Sequence, residues 1–335
     1  MDVICRGGET AVVPVEEPSQ VGQARRVATQ VAAACGFDDT DTGRVALVAT
    51  ELATNVLKHA QRGEIHVAAV PGRGARGVEI VAVDRGPGFN LADCLPDGYS
   101  TGGTRGEGLG AVQRQAQVMD MYADARGAVV LARLYARGLG DADIPFGATQ
   151  TRLRDEPACG DGWGFAISGG EACVLVVDGL GHGPSANEAA TACIDAWQAQ
   201  PLADPVGLMA VLDDAMSGTR GGAVALARYE EGLLRYAGIG NIAGSLQTLE
   251  GSRGLASHPG IVGVQARRPQ PFDFPGSAGK LLLMHSDGLQ SRWSLRDYPG
   301  LVNRHPAVAT AVLHRDFNRG RDDVTVFALR LEARA

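Results

Sequence analysis

The sequence lacks the features that mark several common protein classes. None of its six cysteines is paired as CxxC or lies near a histidine at zinc-ligand spacing, which argues against a zinc site and a disulfide framework. No apolar run approaches the roughly 20 residues of a membrane helix. Residues 1–14 lack the basic start and the apolar core of a signal peptide. These absences predict a cytoplasmic protein.

Basic stretches are also lacking. The formal net charge is -7, so nucleic acid and anionic lipid are poor candidate ligands. Hydrophobic residues make up 45% of the 335 residues, which is enough for two packed domains. The turn-forming stretch RGLGDADIP at residues 137–145 interrupts the periodic pattern. We therefore predict a first domain over residues 1–137, a linker over 138–146 and a second domain over 147–335.

Hydrophobic periodicity predicts an α+β fold for both domains. The segments expected in the first domain are helices at residues 20–35, 42–60 and 110–119 and strands at 64–70, 77–83 and 128–134. In the second domain many strands are separated by a few helices, a pattern that indicates an α+β sandwich.

Two polar residues share one face of the predicted second helix. Glu51 and Asn55, in ELATNVLKHA, are four residues apart. A carboxylate and an amide oxygen in this arrangement can serve as a general base and a magnesium ligand. The same spacing is common among solvated residues of surface helices, so the pair alone does not define a site.

An aspartate followed by two glycines ends the second predicted strand. In VDRGPGF, Asp84 can accept a hydrogen bond from an exocyclic amine such as that of adenine. Gly86 and Gly88 would let the backbone lie close to the ring. A plain turn is the alternative interpretation, since Asp-x-Gly is common in turns.

A glycine-rich stretch, GTRGEGLGAV at residues 103–112, leads into a predicted helix. Backbone N–H groups at such a helix start bind phosphate. The stretch is not a dinucleotide-binding fingerprint, because no strand leads directly into it and the spacing differs.

In this order, the three motifs resemble those of the GHKL ATPase superfamily over residues 13–134, which implies a GHKL (Bergerat) α/β sandwich that binds ATP. The resemblance implies that Asn55 holds Mg²⁺, Glu51 is the base and Asp84 reads adenine. Gly86 and Gly88 would line the base pocket. The residues implied to wrap the phosphates are Thr104, Arg105, Gly106, Glu107, Gly108, Leu109 and Gly110. The stretch at residues 97–110 is similar to the lid of RsbT-type switch serine kinases, and a sigma-factor-binding kinase is the alternative.

Aspartates recur at the ends of apolar segments in the second half. They are Asp161 in GDGW, Asp178 after CVLVV, Asp287 after LLLMHS, and the pair Asp322 and Asp323 before VTVFALRL. If these strands are neighbours, the carboxylates converge at one edge and need a cation, because like charges repel. Oxygen ligands select Mg²⁺ or Mn²⁺, and two such ions can activate water against a phosphoryl group. A single Asp-Gly would otherwise indicate a turn.

The second half resembles the SpoIIE/RsbX branch of the type 2C metal-dependent protein phosphatases over residues 147–331. The resemblance is carried by GDGW, VVDGLGHG, YAGIGNIAG, LLMHSDGL and GRDDVTVFAL. It implies an α/β/β/α sandwich in which Asp178 bridges two catalytic metals and the Gly179 carbonyl binds one. Asp161, Asp287 and Asp323 would complete the metal ligands, with Asp322 adjacent to them.

Three features around this predicted site stay open. The branch lacks the arginine that grips phosphate in many eukaryotic relatives, so the phosphate-binding group is unassigned. His182 is either a proton donor to the leaving serine or a structural residue of the glycine-rich turn. Asn241 in GIGN is interpreted as a turn amide.

Together the resemblances imply a bifunctional partner-switching regulator, an ATP-dependent serine kinase joined to a phosphoserine/phosphothreonine phosphatase. ATP, Mg²⁺ and Mn²⁺ are the implied cofactors, and a STAS-domain anti-sigma-factor antagonist or scaffold is the implied partner. Two alternatives remain. The first half either regulates the phosphatase by binding nucleotide without transferring phosphate, or sequesters a sigma factor.

Overall fold

The computed structural model describes residues 3–89, 108–138, 142–265 and 269–332. The chain divides into two compact units, residues 10–144 and residues 1–9 together with 145–335. The helices and strands, in chain order, are β1 (Val3–Arg6), β2 (Ala11–Val15), α1 (Pro18–Ala34), α2 (Asp39–Ala60), β3 (Gly63–Gly72), β4 (Ala75–Asp84), α3 (Gly108–Gln115), β5 (Val118–Asp124), β6 (Gly127–Tyr135), β7 (Phe146–Thr151), β8 (Asp161–Ser168), β9 (Glu171–Gly179), α4 (Pro184–Gln198), α5 (Pro205–Met216), β10 (Gly222–Glu230), β11 (Leu233–Ile239), β12 (Ala243–Gln247), β13 (Ser252–Leu255), β14 (Phe272–Pro275), β15 (Leu281–His285), α6 (Pro306–Phe317) and β16 (Val324–Arg330). Among the helices of these ranges, none is long and apolar enough to cross a membrane.

The unit of residues 10–144 is an antiparallel sheet packed against helices. The strand order is β2-β3-β4-β6-β5. Helix α1 buries Ala24, Ala28 and Ala32, a stripe of small side chains that allows close packing against α2. Helix α2 begins where the Asp38 side chain accepts a hydrogen bond from the Asp41 amide at 2.7 Å.

The other unit is a sandwich of two antiparallel sheets. One sheet has the order β1-β8-β9-β10-β11-β14 and the other β13-β12-β15-β16-β7. The aromatic rings that pack together in its core are Phe146, Trp163, Phe165 and Phe327, with centroids 4.6–6.3 Å apart. Helices α4 and α5 share a core with the first sheet, and α6 packs so closely on β7 that a β-carbon at Gly147 would lie 2.3 Å from the Ala307 Cα atom. The predicted α/β/β/α layering is confirmed.

Strand β1 lies with the second unit, although the predicted first domain starts at residue 1. It pairs with β8, from Val3 opposite Ile167 to Arg6 opposite Gly164. The Gly7 amide then donates to the Trp163 carbonyl at 2.9 Å. A four-residue strand is too short to show a period, and its partner lies about 160 residues away in the sequence.

The end of α3 also differs from the prediction. The helix expected over residues 110–119 ends at Gln115, and Val118 and Met119 begin strand β5, which pairs with β6. The two apolar residues continue the helical spacing in sequence, but in the structure they extend the sheet.

Candidate active sites

Glu51 and Asn55 lie next to the start of α3. Both are half-buried on the same face of α2. A β-carbon built on Gly108 would lie 3.2 Å from a Glu51 carboxylate oxygen and 3.3 Å from the Asn55 side-chain oxygen. A β-carbon there would push both side chains back by a few tenths of an ångström, so the backbone of the glycine-rich segment lies directly against them.

Asp84 is fixed at the end of β4 by backbone donors. Its Oδ1 atom accepts hydrogen bonds from the Gly86 amide at 2.8 Å and the Ala128 amide at 3.2 Å. A β-carbon on Gly86 would lie 2.8 Å from the Ala60 Cβ atom, so this turn packs on the end of α2. At Gly88, where φ is +70°, a β-carbon would collide with the Asp124 carbonyl at 2.2 Å. The first two sequence motifs therefore meet at one end of α2.

Part of the predicted phosphate-binding segment lies outside the described residues. The members outside are Thr104, Arg105, Gly106 and Glu107. Leu109 and Gly110 are in α3, where the Leu109 side chain packs against the hydrophobic core.

A buried arginine that the sequence reasoning missed ties α3 to α2. The Arg44 guanidinium bonds to Asp41 Oδ1 at 2.7 Å, to the Tyr135 carbonyl at 3.2 Å, to Gln117 Oε1 at 3.0 Å and to the Gln115 carbonyl. Burial alone would raise the pKa of Asp41, but the hydrogen bond and charge of Arg44, together with Arg137, hold it below its ordinary value. The network holds the end of α3 in place, and with it the approach of Gly108 to Glu51.

In the sandwich, the predicted aspartates come together at one end of the two sheets. Asp161 and Asp178 face each other as partners on β8 and β9. Ser286, just after β15, donates from Oγ to Asp161 Oδ2 at 2.6 Å and accepts from the Thr325 amide of β16 at 2.9 Å. This bridge joins the two sheets at the aspartates.

The pKa values of these carboxyl groups show mutual repulsion. Burial, and then the charges of the neighbouring aspartates, raise the pKa of Asp178 to about 9. Burial raises the pKa of Asp161 to about 7, although the Ser286 hydrogen bond acts in the opposite direction. The pKa of Asp287 is also raised, by burial and by the charge of Asp322. A set of carboxylates with these shifts is a site that a cation would stabilise.

Asp322 and Asp323 have different environments. Asp323 is 2% exposed, and its two carboxylate oxygens accept hydrogen bonds from the Leu153 and Gly160 amides, each at 2.6 Å. Asp322 is half-buried, and its charge is the largest charge contribution to the pKa of Asp287. The sequence predicts Asp323 as a metal ligand and Asp322 as its neighbour; in the structure, both Asp323 oxygens are bonded to the loop at residues 153–160, and Asp322 is the member of the pair whose charge acts on Asp287.

The donor chemistry fits hydrated divalent ions. Within the described ranges, no three His, Cys, Asp or Glu side chains are gathered tightly enough to hold one ion by themselves. Mg²⁺ is typically held by one or two carboxylates and keeps several waters, so it does not require three protein side chains tightly gathered around it. The Gly179 backbone is locked in place, because a β-carbon there would lie 2.2 Å from the Ala186 carbonyl oxygen.

Two polar side chains border the aspartates. Asn241, which was interpreted as a turn amide, donates from Nδ2 to Asp287 Oδ2 at 2.7 Å and so orients that carboxylate. His182, in the loop after Asp178, is half-exposed and its Nδ1 atom is 2.7 Å from Glu156 Oε1. A local sequence reading could not reveal either contact, since the partners are 46 and 26 residues apart.

Comparison with known proteins finds a family and a relative for the first half and similar solved structures that cover about half of the chain. Residues 15–134 match the histidine kinase-like ATPase domain family. The serine/threonine-protein kinase RsbT of Bacillus subtilis is 38% identical over 92 residues, which are 27% of this chain and 69% of that protein. A chain from work on the bacterial stressosome, a modular system adapted to control secondary messenger signaling, matches with a TM-score of 0.51 and 27% identity over 56% of this chain and 98% of that one. RsbX in complex with magnesium matches with a TM-score of 0.48 and 22% identity over 54% of this chain and 92% of that one.

The chain belongs to the RsbT-like serine/threonine-protein kinases, with a histidine kinase-like ATPase domain over residues 15–134. It joins that domain to a sandwich of two antiparallel sheets with a cluster of aspartates at one end.

Proposed function

We propose that the chain is a bifunctional partner-switching regulator, in which an ATP-dependent serine kinase and a Mg²⁺- or Mn²⁺-dependent phosphoserine/phosphothreonine phosphatase oppose each other. One observation carries this proposal. A single chain holds both the Glu51–Asn55 face against Gly108 and the cluster of aspartates at the end of the sandwich.

In the kinase reaction, the carboxylate of Glu51 accepts the proton of the attacking serine hydroxyl. The Asn55 side-chain oxygen would hold the Mg²⁺ that accompanies ATP. Asp84 accepts a hydrogen bond from the adenine amine, because two backbone amides already orient its carboxylate. Arg44 acts indirectly, by holding the helix whose start lies against Glu51.

In the phosphatase reaction, the residues that would hold divalent ions are Asp161, Asp178, Asp287 and Asp322 with the Gly179 carbonyl. Bound ions would supply a water activated for attack and would neutralise the phosphoryl oxygens. The Ser286 bridge fixes Asp161, and Asn241 fixes Asp287. Asp323 positions this set by holding the loop that leads to Asp161.

The partner that best fits this chemistry is a STAS-domain anti-sigma-factor antagonist or scaffold phosphorylated on serine. The relation to RsbT and to a stressosome chain supports this choice. A kinase and a phosphatase in one polypeptide would set the phosphorylation level of one serine through the balance of their activities.

The test uses an Asp178→Asn protein, which should add phosphate without removing it. Incubation with γ-labelled ATP and an extract of the source cells should label one small protein, and Glu51→Gln in addition should abolish the label. Asp155→Asn, at an exposed position of the same unit, is the matched control and should leave the protein able to erase the label. If no protein is labelled although ATP binds, the first unit does not transfer phosphate. A nucleotide-dependent complex with a sigma factor would instead indicate sequestration.

A further inference from the structure

An exposed arginine, Arg220, lies against Gly181 in the loop that follows Asp178, and no phosphate-binding group has been assigned to the aspartate cluster. Arg220 lies two residues before strand β10, in which Ala223 is the partner of Asp178 and Gly222 is the partner of Gly179. The Leu180 amide donates to the Gly221 carbonyl at 2.9 Å. The backbone at Arg220 is therefore fixed beside the loop that follows Asp178.

The turn that carries Arg220 is held on its other side as well. Gly222 and Val262 exchange two backbone hydrogen bonds of 2.9 and 3.0 Å. The Thr219 hydroxyl accepts a hydrogen bond from the Gly221 amide at 3.0 Å. It donates one at 2.7 Å to the carbonyl of Met216, which is the last residue of α5. The hydrogen bonds on both sides hold the backbone of the turn, so the base of the Arg220 side chain has a fixed position, and such rigidity favours specific binding.

The Arg220 guanidinium lies against the glycine-rich loop that follows Asp178, on the side of Asp323. Arg220 Nη1 lies 3.2 Å from the position of a β-carbon at Gly181. The Gly181 carbonyl oxygen lies 3.3 Å from the equivalent position at Gly160, which in turn is 3.0 Å from Asp323 Oδ2. Because Gly181 has no side chain, the guanidinium fits against the loop there, whereas the space beside Gly160 is filled by the Ala186 Cβ atom, 2.6 Å from the position of a β-carbon.

Two other arginines of this unit are committed to carboxylates. Arg228 pairs with Glu171 at 2.9 Å, and Arg315 pairs with Asp316 at 2.8 Å. Among the described residues, no side chain forms an ion pair with Arg220, which is exposed. A guanidinium presents a planar fork of N–H donors that matches two oxygens of a phosphate.

We propose that Arg220 binds the phosphoryl group of the substrate, so that it is the phosphate-binding residue of the acidic site. This inference rests on the proposed phosphatase function. A phosphate dianion that approaches the aspartates meets their negative field, and the guanidinium supplies positive charge at the entrance. The metal ligands are separate residues, so the arginine acts on substrate affinity and not on metal affinity.

The experiment compares Arg220→Ala and Arg220→Lys with wild type in the full chain, in Mn²⁺, on p-nitrophenyl phosphate and on phosphocasein. Loss of hydrogen bonds to a charged group should lower kcat/KM of Arg220→Ala by about 10- to 100-fold on both substrates. The inhibition constant of inorganic phosphate should rise by about tenfold or more, and the Mn²⁺ concentration for half activation should not change. Arg220→Lys should recover part of the loss, because it keeps the charge without the fork.

Arg253→Ala is the matched control. Arg253 is on edge strand β13, and its guanidinium lies 4.6 Å from the centre of the Phe274 ring. The variant therefore makes the same change of charge away from the aspartates.

The competing residue is Arg319, whose amide donates to the Gly288 carbonyl at 3.0 Å and whose charge lowers the pKa of Asp287. Unchanged kinetics of Arg220→Ala, a loss confined to phosphocasein, or a loss seen with Arg319→Ala instead would overturn the proposal. If wild type hydrolyses neither substrate, the proposed phosphatase function fails.

Discussion

Replacing each member of the Asp322–Asp323 pair by asparagine should separate folding from metal binding. Asp323 is 2% exposed, and each of its oxygens accepts one backbone amide at 2.6 Å. In Asp323→Asn, one oxygen becomes an NH₂ group that faces a backbone donor. One charge-assisted hydrogen bond is lost and an amide is left unpaired, which together cost about 3 kcal/mol of unfolding free energy. Relief of repulsion among the aspartates offsets part of this loss.

Asp322→Asn should have the opposite signature. Its Oδ1 atom accepts one amide hydrogen bond, from Asp323 at 2.9 Å, which an asparagine oxygen can still accept. The unfolding free energy should change by less than about 1 kcal/mol. Mn²⁺-dependent phosphatase activity should be lost, because the residue near Asp287 no longer carries a charge.

Tryptophan fluorescence in urea with EDTA measures this directly. The three tryptophans, Trp163, Trp197 and Trp293, all belong to the sandwich unit, so the transition reports on that unit alone. A lower urea midpoint for Asp323→Asn, with activity recoverable at high Mn²⁺, is the expected result. If Asp323→Asn unfolds like wild type but no longer responds to Mn²⁺, while Asp322→Asn keeps activity, the assignment of the pair is refuted.

Three further predictions concern both sites. Arg44→Met should destabilise the ATPase unit by about 3 kcal/mol, because the buried carboxylate partner is left uncompensated. The same variant should raise KM for ATP in a kinase assay. Gly108→Ala should reduce phosphate transfer with little change in the far-UV spectrum, because the new methyl group pushes on Glu51. In EDTA, the sandwich should lose stability as pH rises from about 4 to 9. The folded pKa values of Asp161 and Asp178 are raised to about 7 and about 9, so folding favours the protonated forms. Mn²⁺ should reverse this trend, as followed by thermal unfolding at pH 5, 7 and 9.

Features with a local signature were predictable from the sequence. Several apolar strands of the sandwich are followed by Asp-Gly pairs, which are visible in the sequence. The three motifs of the first half indicate an ATPase because their residue types, in this order, suit magnesium, adenine and phosphate. Asp161 and Asp178 could be placed together, since each lies at the end of an apolar strand.

Features that depend on distant partners were not predictable. Adjacent residues at a strand start point to opposite faces, so a sequence cannot tell which of Asp322 and Asp323 faces the site. In the sequence, Arg44 has the pattern of a solvent-exposed helix residue. Its buried role depends on the Gln115 and Tyr135 carbonyls, which are distant in the sequence. Strand β1 has only four residues, and its partner, β8, is about 160 residues away in the sequence, so hydrophobic periodicity could not predict it.

The most direct test of opposed activities on one serine is a chase experiment. A target labelled by the Asp178→Asn protein is separated from ATP and treated with the Glu51→Gln protein in Mn²⁺. The account predicts that Glu51→Gln removes the label and that the double variant does not. Label that persists with Glu51→Gln, while the same protein hydrolyses p-nitrophenyl phosphate, would show that the two units act on different sites and would contradict the account.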